Sequence, residues 1–322
     1  MSALAAPLEV QVTGMRLEAD GVMSLEMQAV DRAPLPEWRP GAHIDLLLPS
    51  GLVRQYSLCS DPRDRQRLRI AVLLEANGRG GSREVHGSLR VGQKLMIRGP
   101  RNAFPMQAGQ RYLFVAGGIG ITPVLAMAQE AQRAGAEWHL LYGGRSRKSM
   151  AFIDELLALG GERVSVLPTD EVGLLDLEDI AARATSGVHT YSCGPSALLD
   201  ALTERFAVAG LAEQLHLERF APAAPTPSAT EAGEQPLRVI LARSGKEVEV
   251  PNGCTIMAAL RAAGHEVASS CEQGVCGMCE TRVLDGVPEH RDMLLSENER
   301  ARGNVMMLCV SRALTPTLTL DL

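Results

Sequence analysis

Apolar residues fall into three rhythms along the chain. Up to residue 105 they recur in short runs: L-E-V-Q-V at 8–12, V-M-S-L-E-M at 22–27, H-I-D-L-L-L at 43–48, L-R-I-A-V-L-L at 68–74 and K-L-M-I-R at 94–98. Alternating or briefly continuous apolar runs, punctuated by Gly, Pro, Ser and Asp, predict strands of an antiparallel β-barrel. From 110 to 220 the rhythm changes. Four strand runs, Y-L-F-V-A, W-H-L-L-Y, R-V-S-V-L and H-T-Y-S-C, alternate with the helical runs V-L-A-M-A-Q-E-A-Q-R-A, F-I-D-E-L-L-A-L and A-L-L-D-A-L-T-E-R-F. That alternation predicts a doubly wound parallel sheet. Beyond 237, strand runs L-R-V-I-L-A and K-E-V-E-V precede the helical run T-I-M-A-A-L-R-A-A, which predicts a small α+β domain.

Residues 221–236, A-P-A-A-P-T-P-S-A-T-E-A-G-E-Q-P, hold 4 prolines, 5 alanines and no large apolar side chain. They read as a linker, spanning roughly 20–25 Å as a flexible chain and about twice that in a polyproline conformation. The expected division is therefore 1–105, 106–220, a linker at 221–236, and 237–322. No internal repeat is visible.

Bulk composition narrows the class without choosing within it. With 322 residues the chain is long enough for two or three cores, and 46% hydrophobic with 22% charged residues is ordinary for a globular protein. A formal net charge of −6 gives no reason to expect nucleic acid as a partner. The N-terminus M-S-A-L-A-A-P lacks a basic region and a long apolar stretch, so no secretory signal is read there. No apolar run approaches the roughly 18 residues a membrane span needs. The expectation is a cytoplasmic protein with no membrane partner.

Four cysteines near the C-terminus carry the sharpest chemistry. Cys271, Cys276 and Cys279 stand in C-E-Q-G-V-C-G-M-C, and Cys309 follows Cys279 by 30 residues. C-x4-C-x2-C with a distant fourth cysteine is the plant-type ligand spacing for a [2Fe–2S] cluster. Gly274 and Gly277 let the loop turn its amides toward such a cluster. Structural zinc also takes four cysteines, but zinc ribbons use two short pairs rather than three plus one. Nothing suggests the secreted context a disulfide framework needs. Cys59 and Cys254 read as small buried hydrophobes. His290-Arg291-Asp292 reads as a turn, with partner docking as the alternative.

A second signal is the turn A-G-G-I-G-I-T-P at 116–123, which follows the first strand of the central segment. Gly117, Gly118 and Gly120 let backbone approach a ligand, with Thr122 the expected N-cap and Pro123 the first helical residue. Strand, glycine turn and helix start together suit a pyrophosphate, although such turns are as often plain connections. Two more strand ends carry small residues: Tyr142-Gly143-Gly144-Arg145-Ser146 and Tyr191-Ser192-Cys193-Gly194-Pro195. Ligands of open parallel sheets bind at that edge. Cys193 is either inert core or a neighbour of a nicotinamide, and its place at the edge favours the second. In the barrel segment, Arg54-Gln55-Tyr56-Ser57 and Gly78-Arg79-Gly80-Gly81-Ser82 are weak motifs singly. The glycines and serine of the latter could offer amides and a hydroxyl to a phosphate.

Taken in order, R-Q-Y-S, G-R-G-G-S, G-G-I-G-I-T-P, Y-S-C-G-P and C-x4-C-x2-C…C resemble the phthalate dioxygenase reductase family of the ferredoxin–NADP reductase superfamily. The resemblance covers essentially the whole chain. It implies an N-terminal flavin barrel, a central NAD domain and a C-terminal plant-type ferredoxin domain of β-grasp type. By the same resemblance Arg54 pairs with the flavin phosphate, Gln55, Tyr56 and Ser57 adjoin the flavin, and Gly80, Gly81 and Ser82 complete the phosphate cradle. Gly117, Gly118, Gly120, Thr122, Arg145, Ser146, Cys193, Gly194 and Pro195 line the nicotinamide nucleotide path. Glu218-Arg219-Phe220 resembles the closing E-x-F element, where Phe220 shields the flavin; an ordinary element-end aromatic is the equal alternative.

The resemblance implies FMN, with FAD the alternative, and NADH as donor. Arg145, Arg147 and Lys148 leave NADPH open, because clustered cations suit a 2′-phosphate as well as solvent. Cys271, Cys276, Cys279 and Cys309 hold the cluster, which passes electrons to the Rieske centre of a terminal non-haem iron oxygenase. No acid–base residue is required, so the histidines read as structural. The competing readings are a non-catalytic iron–sulfur redox sensor and a reductase of a non-oxygenase acceptor.

Overall fold

The computed structural model describes residues 7–76, 78, 80–220, 236–269, 272, 274, 277–292, 294–295 and 297–322. The chain divides into two compact units, Met1–Arg219 and Phe220–Leu322. Among the described residues no helix is long and apolar enough to cross a membrane. Apart from Pro236, the expected linker lies outside the described residues.

The first half of the first unit is a curled antiparallel sheet. Its elements are β1 (Leu8–Ala19), β2 (Val22–Ala29), β3 (Ala42–Leu47), β4 (Val53–Ser57), β5 (Leu68–Leu73), α1 (Gly81–Gly87) and β6 (Lys94–Asn102). The strand order is β4-β3-β6-β1-β2-β5. The outer strands approach each other through a bridge between Leu58 and Ile70, and the Cys59 amide donates to the Arg69 carbonyl at 2.9 Å. Alternation turns Val10, Val12, Leu25, Met27, Ile44, Leu46, Ile70 and Ile97 into one core. Val85 of α1 enters the same core. The Gly80–Ser82 motif is thus the start of a helix, its apolar side used for packing.

The second half holds β7 (Arg111–Gly117), α2 (Ile121–Arg133), β8 (Glu137–Gly144), α3 (Ile153–Gly160), β9 (Val164–Pro168), α4 (Thr169–Val172), α5 (Leu177–Arg183), β10 (His189–Cys193), α6 (Ser196–Val208) and β11 (Leu215–Glu218). All five strands are parallel in the order β11-β10-β7-β8-β9. Tyr112–Gly117 is buried throughout, as a strand covered on both faces must be. Helices α2 and α3 pack with Phe114, Trp138 and Tyr142 on one face. Helices α5 and α6 pack with Leu113, Val115 and Leu141 on the other. The sheet is doubly wound, and its order reverses between β7 and β10, the point at whose carboxyl ends ligands of such sheets bind.

Three local expectations need correction. Helix α2 begins at Ile121 with Gly120 as N-cap, after a 3-10 turn at Gly118–Gly120. Thr122 lies inside the helix and its hydroxyl donates to the Ile119 carbonyl at 3.1 Å, so it caps nothing. Helix α3 starts one residue later than its apolar run because Phe152 takes φ +62°, outside helical geometry. A fifth strand, β11, joins the four expected.

The second unit contains β12 (Leu237–Leu241), β13 (Lys246–Val250), α7 (Ile256–Ala262), β14 (Glu280–Asp285), β15 (Pro288–Glu289), α8 (Glu297–Arg302), β16 (Val305–Met307), β17 (Arg312–Ala313) and β18 (Thr317–Leu320). Its main sheet has the order β13-β12-β18-β14-β16, with only β12 and β18 parallel among these pairs. Ile256, Met257 and Leu260 of α7 bury against Val239, Val248 and Leu318. The Thr255 hydroxyl caps α7 by accepting from the Ala258 amide at 3.1 Å.

Candidate functional site

Residues 54–57 lie on β4, next to the start of α1. A Cβ on Gly81 would fall 2.6 Å from Cγ and 2.7 Å from Nε of Arg54, so the two motifs meet through a contact only glycine allows. Gly80, at φ +90°, turns the chain into α1, and the Ser82 hydroxyl accepts from the Glu75 amide at 3.1 Å. Arg54 Nη1 donates to its neighbour's carbonyl, Val53 O, at 2.8 Å. Burial, eased by Arg54, pushes the Tyr56 phenol above its ordinary range. Gln55 is turned elsewhere: its amide donates to Asp45 at 3.0 Å, and Asp45 pairs with Arg101 at 2.7 Å. Arg54, Gly80, Gly81 and Ser82 bring together a cation and a glycine-started helix, the groups a phosphate needs.

The glycines at the carboxyl edge of the parallel sheet divide into two kinds. A Cβ on Gly120 would meet the Cys193 carbonyl oxygen at 2.2 Å, and one on Gly117 would meet Pro195 at 2.7 Å. One on Gly194 would meet the Gly117 backbone at 3.0 Å. These three serve close packing between the ends of β7 and β10. Gly118 differs, with φ +54° and nothing within 4 Å of its would-be Cβ. It is the position of this turn with room for a ligand, and the Tyr142 hydroxyl fixes it by donating to its carbonyl at 3.2 Å.

At the end of β8, the Arg145 carbonyl accepts from the Asp170 amide at 3.2 Å. Ser146 and Ser149 bracket a 3-10 turn at Arg147–Ser149. Arg147 pairs with Glu171 at 3.5 Å, so one cation of the basic loop is partly neutralised. A cleft lined by Arg111, Glu137, His139 and Arg183 opens near the strands' amino ends, away from the glycine turns of the carboxyl edge.

Glu218, which the motif reading left without a role, joins the two halves of this edge. It ends β11, registers beside Cys193 of β10, and accepts a hydrogen bond from the Ser57 hydroxyl of β4 at 3.4 Å. Burial pushes its carboxyl up to about 8, with the Ser57 bond acting the other way. Burial first, and Glu218 second, hold the Cys193 thiol well above its ordinary value. Cys193 is therefore a protonated neighbour of the site rather than a thiolate nucleophile. The available signal was L-H-L-E, a short alternating run ending in an acid at a strand's carboxyl end. Arg219 pairs with Asp200 at 2.7 Å. Phe220 is 41% exposed and belongs to the second unit.

In the second unit, β14 and β16 pair so that Glu280 faces Met307, and the Leu308 amide donates to the Cys279 carbonyl at 3.3 Å. That ladder brings Cys279 and Cys309 to the same end, both buried. Cys271 and Cys276 lie outside the described residues. Gly274 and Gly277 have φ +72° and +73°, and a Cβ on Gly274 would meet Val310 at 2.7 Å and the Asp292 Cα at 3.0 Å. The Asp292 carboxylate accepts from the Leu294 and Leu295 amides at 3.1 and 2.8 Å, so 290–292 leads into a turn that adjoins Gly274. Two buried cysteines and two glycines at positive φ fit an iron–sulfur cage. Cys59 is fully buried, as expected, whereas Cys254 is only half-buried.

Comparison with known proteins agrees with this layout. Residues 239–314 match the 2Fe-2S iron-sulfur cluster binding domain family. Residues 97–215 match the family described as dimethylamine monooxygenase subunit DmmA-like, N-terminal domain. Phenoxybenzoate dioxygenase subunit beta of Ectopseudomonas oleovorans is 46% identical over 327 residues, covering 100% of both chains. The structure of phthalate dioxygenase reductase matches with a TM-score of 0.72 and 34% identity, covering 98% of each chain. An intact type IV self-sufficient cytochrome P450 monooxygenase matches with a TM-score of 0.90 and 44% identity over 98% of this chain, which spans 41% of that longer one.

Proposed function

The chain belongs to the phthalate dioxygenase reductase family, the reductase components of oxygenase systems, and we propose that within it this protein carries electrons from NADH through FMN and a [2Fe–2S] cluster to a terminal oxygenase. It is an oxidoreductase with a 2Fe-2S ferredoxin domain, and its fold implies flavin and NAD binding. When bound, the flavin takes an electron pair as hydride and releases electrons singly, which a one-electron cluster can relay. The observation that carries the proposal is the Ser57–Glu218 contact. Through it the strand bearing the flavin motif ends against the sheet edge bearing the dinucleotide motif.

The chain's own residues supply binding and orientation. Arg54 offers a cation to the flavin phosphate, supported by its fit against Gly81. Tyr56 and Ser57 lie on the same strand and adjoin the flavin. The Gly118 turn leaves open backbone for the pyrophosphate, and Cys193 and Glu218 form an uncharged floor at neutral pH beside the nicotinamide. Gly117, Gly120, Gly194 and Pro195 hold the strand ends together beneath it. Arg145 and Ser146 border the adenosine end, and the Arg147–Glu171 pair favours NADH by occupying a cation that would attract a 2′-phosphate. Cys271, Cys276, Cys279 and Cys309 hold the cluster. FMN follows from the family resemblance, as does Phe220 as a flavin shield.

The acceptor has two readings. A Rieske non-haem iron oxygenase accords with the dioxygenase relatives. A haem oxygenase is favoured by the P450 monooxygenase whose chain carries a segment 44% identical to this one. Titrating the reduced protein with an oxygenase of each type, and following electron uptake, separates them.

The reductase reading is tested by the absorption spectrum of the purified protein, acid extraction of its flavin, and anaerobic addition of NADH. Flavin and iron–sulfur absorbance that bleach together with NADH are expected, with FMN in the extract. Absence of flavin overturns the reading, and an iron–sulfur spectrum indifferent to NADH leaves the redox-sensor alternative.

A further inference from the structure

Arg69, on β5, occupies a position that neither a flavin motif nor a dinucleotide motif explains. Its guanidinium makes a forked pair with Glu155 of α3, Nη1 to Oε2 at 3.0 Å and Nη2 to Oε1 at 2.8 Å. Nη2 also donates to the Cys59 carbonyl at 2.8 Å, two residues beyond Ser57. The guanidinium lies 4.9 Å from the centre of the Phe152 ring. Phe152 is buried and holds φ +62°, a left-handed conformation that costs a bulky residue energy unless its surroundings enforce it. Glu155 takes a further hydrogen bond from the Gln129 amide of α2 at 3.2 Å. The Arg69–Glu155 pair thus ties the chain just beyond the flavin-motif strand to both helices on one face of the dinucleotide sheet.

We propose that Arg69 and Glu155 form a registering clamp: Arg69 is a positioning residue that sets the angle between the flavin strand and helix α2, and so the alignment of nicotinamide and flavin. The inference rests on the flavin–NADH reading above. Stability is a poor reason for such a pair, because a half-buried ion pair roughly cancels its desolvation cost. Direction is a better one, since a forked guanidinium–carboxylate pair fixes a plane as well as a distance. The lever arms are short but sufficient. From Gln129 back to the start of α2 is eight residues, about 12 Å of helix. A tilt of about 5° at the clamp therefore moves the glycine turn by ~1 Å, and a misplacement of that size can cost on the order of 100-fold in rate. Among the described residues the other ion pair of this kind, Arg133 with Asp61 at 3.3 Å, joins two side chains that are each already engaged, Asp61 by Arg63 and Arg133 by Glu130, and lacks the strained aromatic platform.

The test uses full-length, cofactor-loaded protein carrying Arg69→Lys, which keeps the charge but loses the fork, and Glu155→Gln, which keeps the shape but loses the charge. Arg133→Gln serves as control. For Arg69→Lys, anaerobic bleaching by saturating NADH should slow on the order of 10- to 100-fold, with flavin content and melting temperature unchanged and KM for NADH little altered. The long-wavelength absorbance of nicotinamide stacked on flavin, read without turnover by adding NAD⁺ to the reduced protein, should weaken in parallel. Glu155→Gln should fall between Arg69→Lys and wild type, and Arg133→Gln should match wild type. A wild-type bleaching rate and stacking band in Arg69→Lys overturn the clamp, as does a rate loss that only tracks lost flavin. A wild-type protein that binds no flavin, or is not bleached, refutes the underlying reading instead.

Discussion

The Ser57 hydroxyl and the Glu218 carboxylate meet at 3.4 Å across 161 residues of sequence and from two different sheets. Because burial raises the Glu218 carboxyl from 4.5 to about 8, the folded protein holds a proton there that the unfolded chain releases. The stabilisation is whole below about 4.5 and is lost as pH rises through about 8. Melting temperature should therefore fall more steeply between pH 6 and 9 in wild type than in Glu218→Gln. Parallel profiles would remove the buried proton from the account.

Gly81→Ala should loosen the flavin without touching the dinucleotide edge. The new Cβ would displace the Arg54 side chain from its present path. Flavin retention through gel filtration should drop on the order of tenfold, approaching Arg54→Ala, since a charge-assisted contact is worth about 1.5–3 kcal/mol. Equal retention in Gly81→Ala and wild type would separate Arg54 from the phosphate.

Gly120→Ala and Gly118→Ala should differ in kind. The Gly120 Cβ would collide with backbone at 2.2 Å, which no side-chain rotation relieves. Strong destabilisation or failure to fold is expected. Gly118→Ala meets open space at φ +54°, so only a backbone cost of about 1 kcal/mol is expected. Its effect should appear instead as a raised KM for NADH. The reverse order of melting temperatures would contradict the division between packing and ligand glycines.

Cys279→Ser should remove the iron–sulfur absorbance and electron delivery to an oxygenase while NADH still bleaches the flavin. Loss of both activities would place the cluster upstream of the flavin or give it a structural role.

Much of this was legible because long apolar patterns report layers faithfully. Tyr112–Gly117 could only be a strand covered on both faces, and the cysteine spacing named its own chemistry. What escaped notice was short or depended on distant partners. Strand β11 offers four residues, all only partly buried, and exists because β10 supplies its hydrogen bonds. Helix α5 buries little beyond Ile180 and Ala181, and is marked chiefly by its Asp176 cap. The glycine motif was visible, but its division was not: Gly117 and Gly120 are explained by Pro195 and Cys193, some 75 residues on. Thr122 carried every local sign of an N-cap, yet the preceding 3-10 turn sets the helix start at Ile121, one residue ahead of it.

Strand β11 is an edge strand of its sheet and also the last of that sheet to be made. A chain growing from its amino end presents Ser57 and the glycine turn well before the acid that joins them exists. Translation therefore acts as a clock: the junction between Ser57 and Glu218 is complete only when residue 218 has emerged. The thiols from Cys271 to Cys309 come later still. The first unit can therefore close before the cysteine-bearing unit has anything to bind with.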